Sequence, residues 1–288
     1  MNGNVKEIIR KFKIRPTKSL GQNFLTDDSV MSRIVDASGI GSSDLAIEIG
    51  PGIGNMTEEL AVRAGKVLGV EIDKHLIPAL TDNLKAFSNV TIINKDVLKI
   101  DLREIISQIA EAGFKPDSIR VVANLPYYIT TPIIMKLLED NPGIDAMVFM
   151  VQKEVAERIV ANPGGKDYGA LSVAVQYYSR PEIVFSVPPD CFMPQPKVDS
   201  TVIRLNIYKT PPVEVKSKEL FFKIVKASFG QRRKTLLNAL SNSGYFMQAK
   251  EEMKDILKSL DIDENRRGET LSIMQFAELS NAFLSKDC

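Results

Sequence analysis

The sequence predicts an α/β fold, in which a mostly parallel sheet with flanking helices is followed by a small α-helical domain. Hydrophobic residues make up 44% of the 288-residue chain, which is enough for a sizeable core. From Asp44 to Gln152, short apolar runs alternate with helical segments, as in successive βαβ units. Beyond residue 210, the apolar residues recur at helical spacing. We therefore expect an N-terminal domain over residues 1–210 and a C-terminal domain over residues 211–288.

A basic extension and one helix are predicted before the sheet. Residues 1–22 contain six Lys or Arg and a single acidic residue, Glu7. The next segment, TDDSVMSRIVDASG, is typical of a capped helix. Thr26 or Asp27 is the expected N-cap, and Gly39 lies just beyond the helix end.

The predicted sheet comes from apolar runs that alternate with helix-like segments. Strands are expected in DLAIEIG, KVLGVEID, VTIINKD, IRVVANL and DAMVFMVQ, and helices in NMTEELAVRAG, KHLIPALTDNLKAF, DLREIISQIAEAG and PIIMKLLED. Right-handed crossovers between these strands would make them parallel. EIVFSVPPDCF and KVDSTVIRLNIY predict two antiparallel strands at the sheet edge. Beyond TPPVEV, helices are expected in ELFFKIVKASFG, RRKTLLNALSNSG, AKEEMKDILKSL and LSIMQFAELSNAFL.

The composition excludes several classes of protein. No apolar run reaches the roughly 18 residues that a membrane span needs, so we expect a cytoplasmic protein. Cys191 and Cys288 are far apart, as is usual in a reducing compartment rather than in a disulfide framework. His75 is the only histidine, which argues against His-based catalysis and against a zinc cluster. We expect no bound metal.

The near-neutral net charge of +1 hides two basic runs. One is the N-terminal extension, and the other covers residues 216–238, with seven Lys or Arg against Glu219. A single basic run is usually a solvated helix face. Two such runs at opposite ends of the chain favour a polyanionic partner.

A glycine-rich turn and two carboxylates follow successive strands. Glycines at 50, 52 and 54 separate a strand from a helix, an arrangement that serves either a purely structural turn or a ligand loop. Glu71 ends the next strand, where its carboxylate can accept hydrogen bonds from both hydroxyls of a ribose. Asp96 follows the third strand and can accept from an adenine amine. No Walker-type Lys-Ser/Thr pair is present to bind a triphosphate, so S-adenosylmethionine fits this pattern.

The strand IRVVANL ends in an unusual turn, NLPYYITTP. An adenine amine is a poor nucleophile because its lone pair is delocalised into the ring. The Asn124 side-chain oxygen and the Leu125 carbonyl could accept the two amine hydrogens and direct the lone pair at a methyl group. Pro126 would stiffen the turn, and Tyr127 would stack on the base. The alternative is an Asn-Pro turn whose tyrosines pack on the core.

Five segments together carry a resemblance over nearly the whole chain: KSLGQNFLTD, EIGPGIGNMT, NLPYYITTP, VPPDCFMPQPKVDST and ASFGQRRKTLLNAL. They resemble the ribosomal RNA adenine N6,N6-dimethyltransferases of the KsgA type. The resemblance implies a Rossmann-like S-adenosylmethionine-dependent methyltransferase sheet. It also implies dimethylation of two adjacent adenosines in the 3′-terminal hairpin of small-subunit (16S) rRNA during ribosome biogenesis. The expected substrate is rRNA within a pre-30S particle, and the expected enzyme is a monomer.

The same resemblance assigns roles to individual residues. The cofactor-binding positions would be Asn23, Leu25, Gly50, Glu71, Asp96 and Asn124. Asn124, Leu125, Pro126 and Tyr127 would act in the chemical step. Phe192 would contact the adenine, although a core phenylalanine is an equal alternative. RNA phosphates would be bound by residues at the expected start of a helix, namely Gln231, Arg232, Arg233 and Lys234.

Two other functions remain open from the sequence. One is a sister enzyme that methylates an adenosine of large-subunit (23S) rRNA and confers antibiotic resistance. The other is an RNA-binding assembly or transcription factor that has kept the fold without catalysis. The segments PPDCFMPQPKVDS and QRRKTLLNAL favour the small-subunit enzyme over the first, and the intact Asn124–Tyr127 turn argues against the second.

Overall fold

A computed structural model describes residues 5–17, 20–231 and 233–285, and for Lys6 and Ser285 it describes the backbone alone. The strands are β1 (Phe24–Leu25), β2 (Leu45–Ile49), β3 (Lys66–Glu71), β4 (Val90–Asn94), β5 (Ile119–Asn124), β6 (Ala146–Gln152), β7 (Ser179–Val187), β8 (Phe192–Met193) and β9 (Ser200–Ile207). The helices before residue 180 are α1 (Val5–Lys11), α2 (Asp28–Ser38), α3 (Asn55–Arg63), α4 (Ile77–Leu84), α5 (Leu102–Glu111), α6 (Thr130–Asp140), α7 (Lys153–Val160) and α8 (Ala170–Tyr178). The later helices are α9 (Lys218–Gly230), α10 (Leu236–Ser241), α11 (Lys250–Ser259) and α12 (Ile273–Ser285).

The main sheet confirms the predicted α/β class. Its strand order is β4-β3-β2-β5-β6-β9-β7. The strands from β4 to β6 are all parallel, and β9 runs antiparallel to β6. The two strands after the parallel set lie at the sheet edge, as predicted. Because β2, β3, β4 and β5 are parallel, their carboxyl ends meet at one edge, where such sheets bind ligands.

The N-terminal segment packs beside that edge. Hydrophobic residues of α1 and of β1 form a small cluster with Ile53 of the glycine-rich turn and with residues near the start of α4: Val5, Ile8, Phe24, Leu76 and Ala79. β1 pairs antiparallel with β8, with Leu25 opposite Phe192. The sequence predicted only a basic extension here. The described part of it contains a helix with one apolar face, and Lys18 lies outside the described residues.

The predicted cap of α2 is confirmed. The Asp27 carboxylate accepts from the backbone N–H groups of Ser29 and Val30 at 2.9 and 3.1 Å. Gly39 ends the helix with a φ of 64°, a left-handed conformation that favours glycine. α2 therefore begins and ends where its sequence signals lie.

The chain divides into two compact units whose boundaries differ from those predicted. The first contains the residues up to 156 and residues 181–207, and the second contains residues 157–180 and those from 208 onward. Residues 157–180 belong to the second unit because Tyr168, Val173 and Tyr177 are buried in one cluster with Phe221 and Phe276. The Tyr168 hydroxyl also donates to the Leu271 carbonyl at 3.0 Å. The second unit is helical, as predicted. None of the described helices is long and apolar enough to cross a membrane.

Candidate active site

The glycine-rich turn connects β2 to α3 at the carboxyl edge of the sheet. Gly50 has a φ of 70°, and its N–H donates to the Val70 carbonyl at 2.9 Å. A Cβ placed on Gly50 would have no heavy atom within 4 Å, so this face of the turn is open to a ligand. Gly54 is constrained by packing instead, since a Cβ there would lie 2.8 Å from a Leu80 methyl. The turn therefore needs glycine both for its conformation and for close packing.

Glu71 is held at the end of β3 by two backbone groups. Its Oε2 atom accepts from Gly52 N–H at 2.9 Å, and its Oε1 atom accepts from Asp73 N–H at 2.7 Å. The side chain is 4% exposed, and burial raises its pKa above the usual range of a glutamate. Each carboxylate oxygen has a second lone pair, so the group can still accept from ribose hydroxyls.

The other predicted cofactor residues lie along the same cleft. Asp96 follows β4, and its Oδ1 atom accepts from Leu98 N–H at 3.0 Å. The Asn23 side chain donates to the Gly21 carbonyl at 3.3 Å. Leu25 is buried and supplies an apolar wall. All of these side chains come from segments that directly follow or cover the strand ends.

Asn124 is the last residue of β5, and its side-chain orientation is set by a neighbouring segment. The Nδ2 group donates to the Asn23 carbonyl at 3.1 Å. A carbonyl can only accept, so it must face the Nδ2 group rather than Oδ1. The Oδ1 atom is therefore on the side of the amide that faces away from the Asn23 carbonyl. Asn124 itself lines the cleft.

The rest of the turn after β5 is also fixed. Leu125 is 1% exposed, and its N–H donates to the Met150 carbonyl at 3.1 Å. The Tyr127 hydroxyl is hydrogen-bonded to Ser200 Oγ at 2.6 Å, and burial raises its pKa. The ring of Tyr127 is therefore anchored at its far end while it lines the cleft.

One cleft in the first unit brings most of the predicted residues together: Asn23, Leu25, Gly50, Glu71, Asp96, Asn124, Leu125, Pro126 and Tyr127. Phe192 does not line it. That side chain is 3% exposed and belongs to a core cluster with Leu25 and Met31. Phe192 therefore fits the core alternative, and its contact with the adenine stays a prediction.

Comparison with known proteins gives the family. The model of the family described as ribosomal RNA adenine dimethylase matches residues 13–279. The chain belongs to this family.

Known proteins are similar to this dimethylase in sequence or in structure over nearly its full length. A ribosomal RNA small subunit methyltransferase A from Alkaliphilus oremlandii is 53% identical over 281 residues, which cover 98% of this chain and 96% of the relative. A crystal structure of a dimethyladenosine transferase from Plasmodium falciparum is 26% identical and has a TM-score of 0.74, covering 92% of this chain and 98% of that one. The structure of the 23S rRNA methyltransferase ErmE is 25% identical with a TM-score of 0.66, covering 90% and 99%. The chain is thus similar to both kinds of rRNA methyltransferase.

The cofactor of this methyltransferase is S-adenosylmethionine, and the cleft fits it. Gly50 leaves open space, and Glu71 presents acceptors for a ribose. Within the described chain, Glu48 is a buried carboxylate at the cleft whose Oε2 atom has no hydrogen-bond partner. A buried acceptor of this kind fits the ammonium group at the amino-acid end of S-adenosylmethionine.

Glu48 is a site residue that the sequence reasoning missed. It lies in β2, two positions before Gly50, and is 1% exposed. Burial raises its pKa to about 8, and the neighbouring charge of Glu71 adds to this shift. The available signal was a carboxylate inside the otherwise apolar run AIEIG. A carboxylate side chain is rare in a buried strand unless it has a partner or a function.

The described members of the predicted RNA-binding set, Gln231, Arg233 and Lys234, connect two helices rather than start one. Gln231 caps the C-terminus of α9, and α10 begins only after Thr235, whose own side chain accepts from Asn238 N–H at 3.4 Å. Gln231, Arg233 and Lys234 are exposed, and Arg232 lies outside the described residues. The start of α10 is therefore capped by the Thr235 side chain. The exposed cations are the feature of this link that can bind phosphate.

The described residues contain no group of three or more His, Cys, Asp or Glu side chains arranged to hold a metal ion.

Proposed function

We propose that this chain dimethylates the N6 amines of two adjacent adenosines in the 3′-terminal hairpin of small-subunit (16S) rRNA. S-adenosylmethionine supplies an electrophilic methyl group when bound. The observation that carries the proposal is the hydrogen bond from Asn124 Nδ2 to the Asn23 carbonyl, because it directs Oδ1 to a place where it can accept from an adenine amine. The 53% identical relative named small subunit methyltransferase A supports the choice of rRNA.

The residues of the turn after β5 would activate the amine. Asn124 Oδ1 and the Leu125 carbonyl accept its two hydrogens, which draws the nitrogen toward tetrahedral geometry. Pro126 restricts the turn, and the ring of Tyr127, anchored by Ser200, offers a face on which the base stacks. The lone pair of the amine nitrogen would thereby be directed at the electrophilic methyl group that bound S-adenosylmethionine would supply.

No catalytic base is required in this scheme. Methylation makes the attacking nitrogen positively charged, which makes its proton strongly acidic, and water takes that proton. The described carboxylates that line the cleft, Glu48, Glu71 and Asp96, are all assigned to the cofactor instead. The chemistry also requires no metal.

The exposed cations of the second unit are the proposed RNA contacts. Arg233 and Lys234 lie in the link between α9 and α10, and Lys216 and Lys226 belong to the same basic run. Such side chains bind phosphate oxygens with little regard to sequence. We propose that they hold a pre-30S particle in the cytoplasm and that the enzyme acts as a monomer.

Transfer of labelled methyl groups to separated ribosomal subunits tests this function. Small subunits that lack the two dimethyladenosines, and large subunits as the comparison, are incubated with the protein and labelled S-adenosylmethionine. We expect label in the small-subunit rRNA. Label in large-subunit rRNA alone would favour the ErmE-like activity, and label in neither would favour a non-catalytic RNA-binding protein.

A further inference from the structure

The side-chain amide of Gln22 is engaged at both ends. Its Oε1 atom accepts from Thr17 N–H at 2.8 Å, and its Nε2 group donates to Asp73 Oδ2 at 2.8 Å. Gln22 is half-buried and lines the cleft. It therefore ties the N-terminal segment to the loop that follows β3.

Asp73, the acceptor in this bond, is also hydrogen-bonded to Glu71, the residue expected to accept from the ribose. Asp73 is 6% exposed, and its Oδ1 atom accepts from His75 N–H at 3.0 Å. Its own N–H donates to Glu71 Oε1 at 2.7 Å. Two hydrogen bonds therefore connect Glu71 to Gln22 by way of Asp73.

Gln22 is also bonded covalently to the residue that orients Asn124. The next residue, Asn23, provides the carbonyl that accepts from Asn124 Nδ2 at 3.1 Å. A continuous path of hydrogen bonds and one peptide bond, that between Gln22 and Asn23, thus runs from Glu71 through Asp73 and Gln22 to Asn124. One end of the path is at the cofactor side of the cleft, and the other is at the turn proposed to hold the adenine.

We propose that Gln22 and Asp73 are positioning residues that couple cofactor binding at Glu71 to the orientation of the Asn124 amide. The proposal rests on the proposed function and deepens it. When the cofactor's ribose engages Glu71, the path holds the Asn23 carbonyl in place, and Asn124 Oδ1 stays directed at the target amine. Neither positioning residue touches the reacting atoms.

A swap of donor and acceptor tests the central bond of the path. In Gln22→Glu, two carboxylates face each other, and in Asp73→Asn, two amides cannot satisfy both neighbours. In the double variant Gln22→Glu/Asp73→Asn, the amide at position 73 can donate to the carboxylate at position 22. The other oxygen at position 22 still accepts from Thr17 N–H. All three variants keep the size of the side chains, so the fold should be unchanged, which thermal unfolding checks.

Three readouts separate coupling from a merely structural role. Calorimetry measures binding of S-adenosylhomocysteine, turnover is measured at saturating S-adenosylmethionine, and hydrogen exchange follows the amides of residues 124–129 with and without S-adenosylhomocysteine. We expect each single variant to lose about 10-fold in affinity, the scale of one hydrogen bond to a charged group. Turnover should also fall about 10-fold, and ligand-induced protection of residues 124–129 should be lost. The double variant should recover most of all three.

The outcomes are distinct from those that test the methyltransferase itself. Unchanged affinity in both single variants overturns the proposal, as does lower affinity with full turnover and normal protection of residues 124–129. A double variant no better than the single ones also overturns it. If the unsubstituted protein does not methylate rRNA, the proposed function fails. In that case calorimetry and hydrogen exchange still decide whether the path couples the two ends of the cleft.

Discussion

The carbonyl of Asn23 lies 3.1 Å from Asn124 Nδ2 and fixes the direction of the opposite oxygen. If that oxygen activates the amine, Asn124→Ala should still fold and bind RNA, because Tyr127 and the phosphate contacts remain. Turnover at saturating S-adenosylmethionine should fall on the order of 100-fold or more, as when one preorganised hydrogen-bond partner of a transition state is removed. Steady-state kinetics on small subunits measures this loss.

The product ratio gives a second view of the same residue. N6-methyladenosine has one amine hydrogen left, so the second methylation must use the two acceptors differently from the first. Asn124→Ala should therefore also change the ratio of monomethyl to dimethyl product, as read by mass spectrometry of digested rRNA. Near-normal turnover with an unchanged ratio would make the turn after β5 a structural feature only.

Glu71 is expected to contribute to cofactor affinity. Glu71→Ala removes the proposed acceptor for two ribose hydroxyls and also the acceptor of Gly52 N–H, so binding of S-adenosylhomocysteine should weaken by roughly 1–3 kcal/mol. Calorimetry measures the change. Ser107→Ala on the exposed face of α5 serves as a matched control that should bind normally. Unchanged affinity of Glu71→Ala would remove this residue from the site.

Glu48 should make stability depend on pH. Burial raises its pKa in the folded protein to about 8, above the ordinary glutamate value of 4.5, so its contribution to stability is fully present below pH 4.5. This contribution decreases as pH rises and is lost as pH passes through about 8, a change of a few kcal/mol in the free energy of unfolding. Glu71 contributes in the same direction, since its pKa is also raised.

Glu48→Gln should remove the part of this dependence that belongs to Glu48. Urea unfolding of the cofactor-free protein at pH 5 and pH 8 should show a smaller loss of stability for the variant than for the unsubstituted protein. An equal loss in both proteins would mean that Glu48 does not titrate in this range.

At the site, the sequence predicted those residues whose signal lies in the neighbouring sequence. Glu71 and Asn124 were predicted as site residues because each ends an apolar strand with a polar side chain, and both line the same cleft. Gln22 and Asp73 were not predicted, because these two residues are 51 positions apart in sequence and only the folded chain brings them together. Phe192 was ambiguous for the same reason, since pairing of β1 with β8 decides which way the ring faces.

Among the elements, the link between α9 and α10 carries a testable charge. Replacing Arg233 and Lys234 with Ala should weaken RNA binding and flatten its dependence on salt, because each lost phosphate contact releases roughly 0.7–0.9 fewer counterions. Affinity for S-adenosylhomocysteine should not change. The double change Lys254→Ala/Lys258→Ala on α11 removes the same charge from the same unit and should have a smaller effect. Equal salt slopes for all three proteins would place the RNA elsewhere.

The helix that follows the turn after β5 shows the limit of capping rules. A Thr followed by Pro, as at Thr131 and Pro132, is a typical helix start with Thr as N-cap, whereas α6 begins at Thr130 and its N-cap is Ile129. Thr130 Oγ1 donates to the Pro126 carbonyl at 3.0 Å, so this side chain binds back to the turn. Contact with the turn after β5, rather than a local N-cap, therefore determines where α6 starts.

Across the whole molecule, periodicity predicted the α/β class and the helical C-terminal region. It did not predict that residues 157–180 belong to the second unit. Tyr168 and Leu271 are 103 residues apart in sequence, and no local pattern signals their contact. Apolar periodicity identifies which face of an element is buried, but it does not identify the partner that covers it.

The division of roles between the two units leads to the most direct test. Residues proposed for the cofactor and the amine lie in the first unit, and the exposed cations of the link between α9 and α10 lie in the second. Small and large subunits lacking N6-methylated adenosines are incubated with the protein and S-adenosylmethionine. Their rRNA is digested to oligonucleotides and analysed by mass spectrometry. The account predicts two adjacent N6,N6-dimethyladenosines in the 3′-terminal hairpin of the small-subunit rRNA, and strongly reduced product with Asn124→Ala. Methylated adenosine in the large-subunit rRNA alone, or none in either subunit, would contradict it.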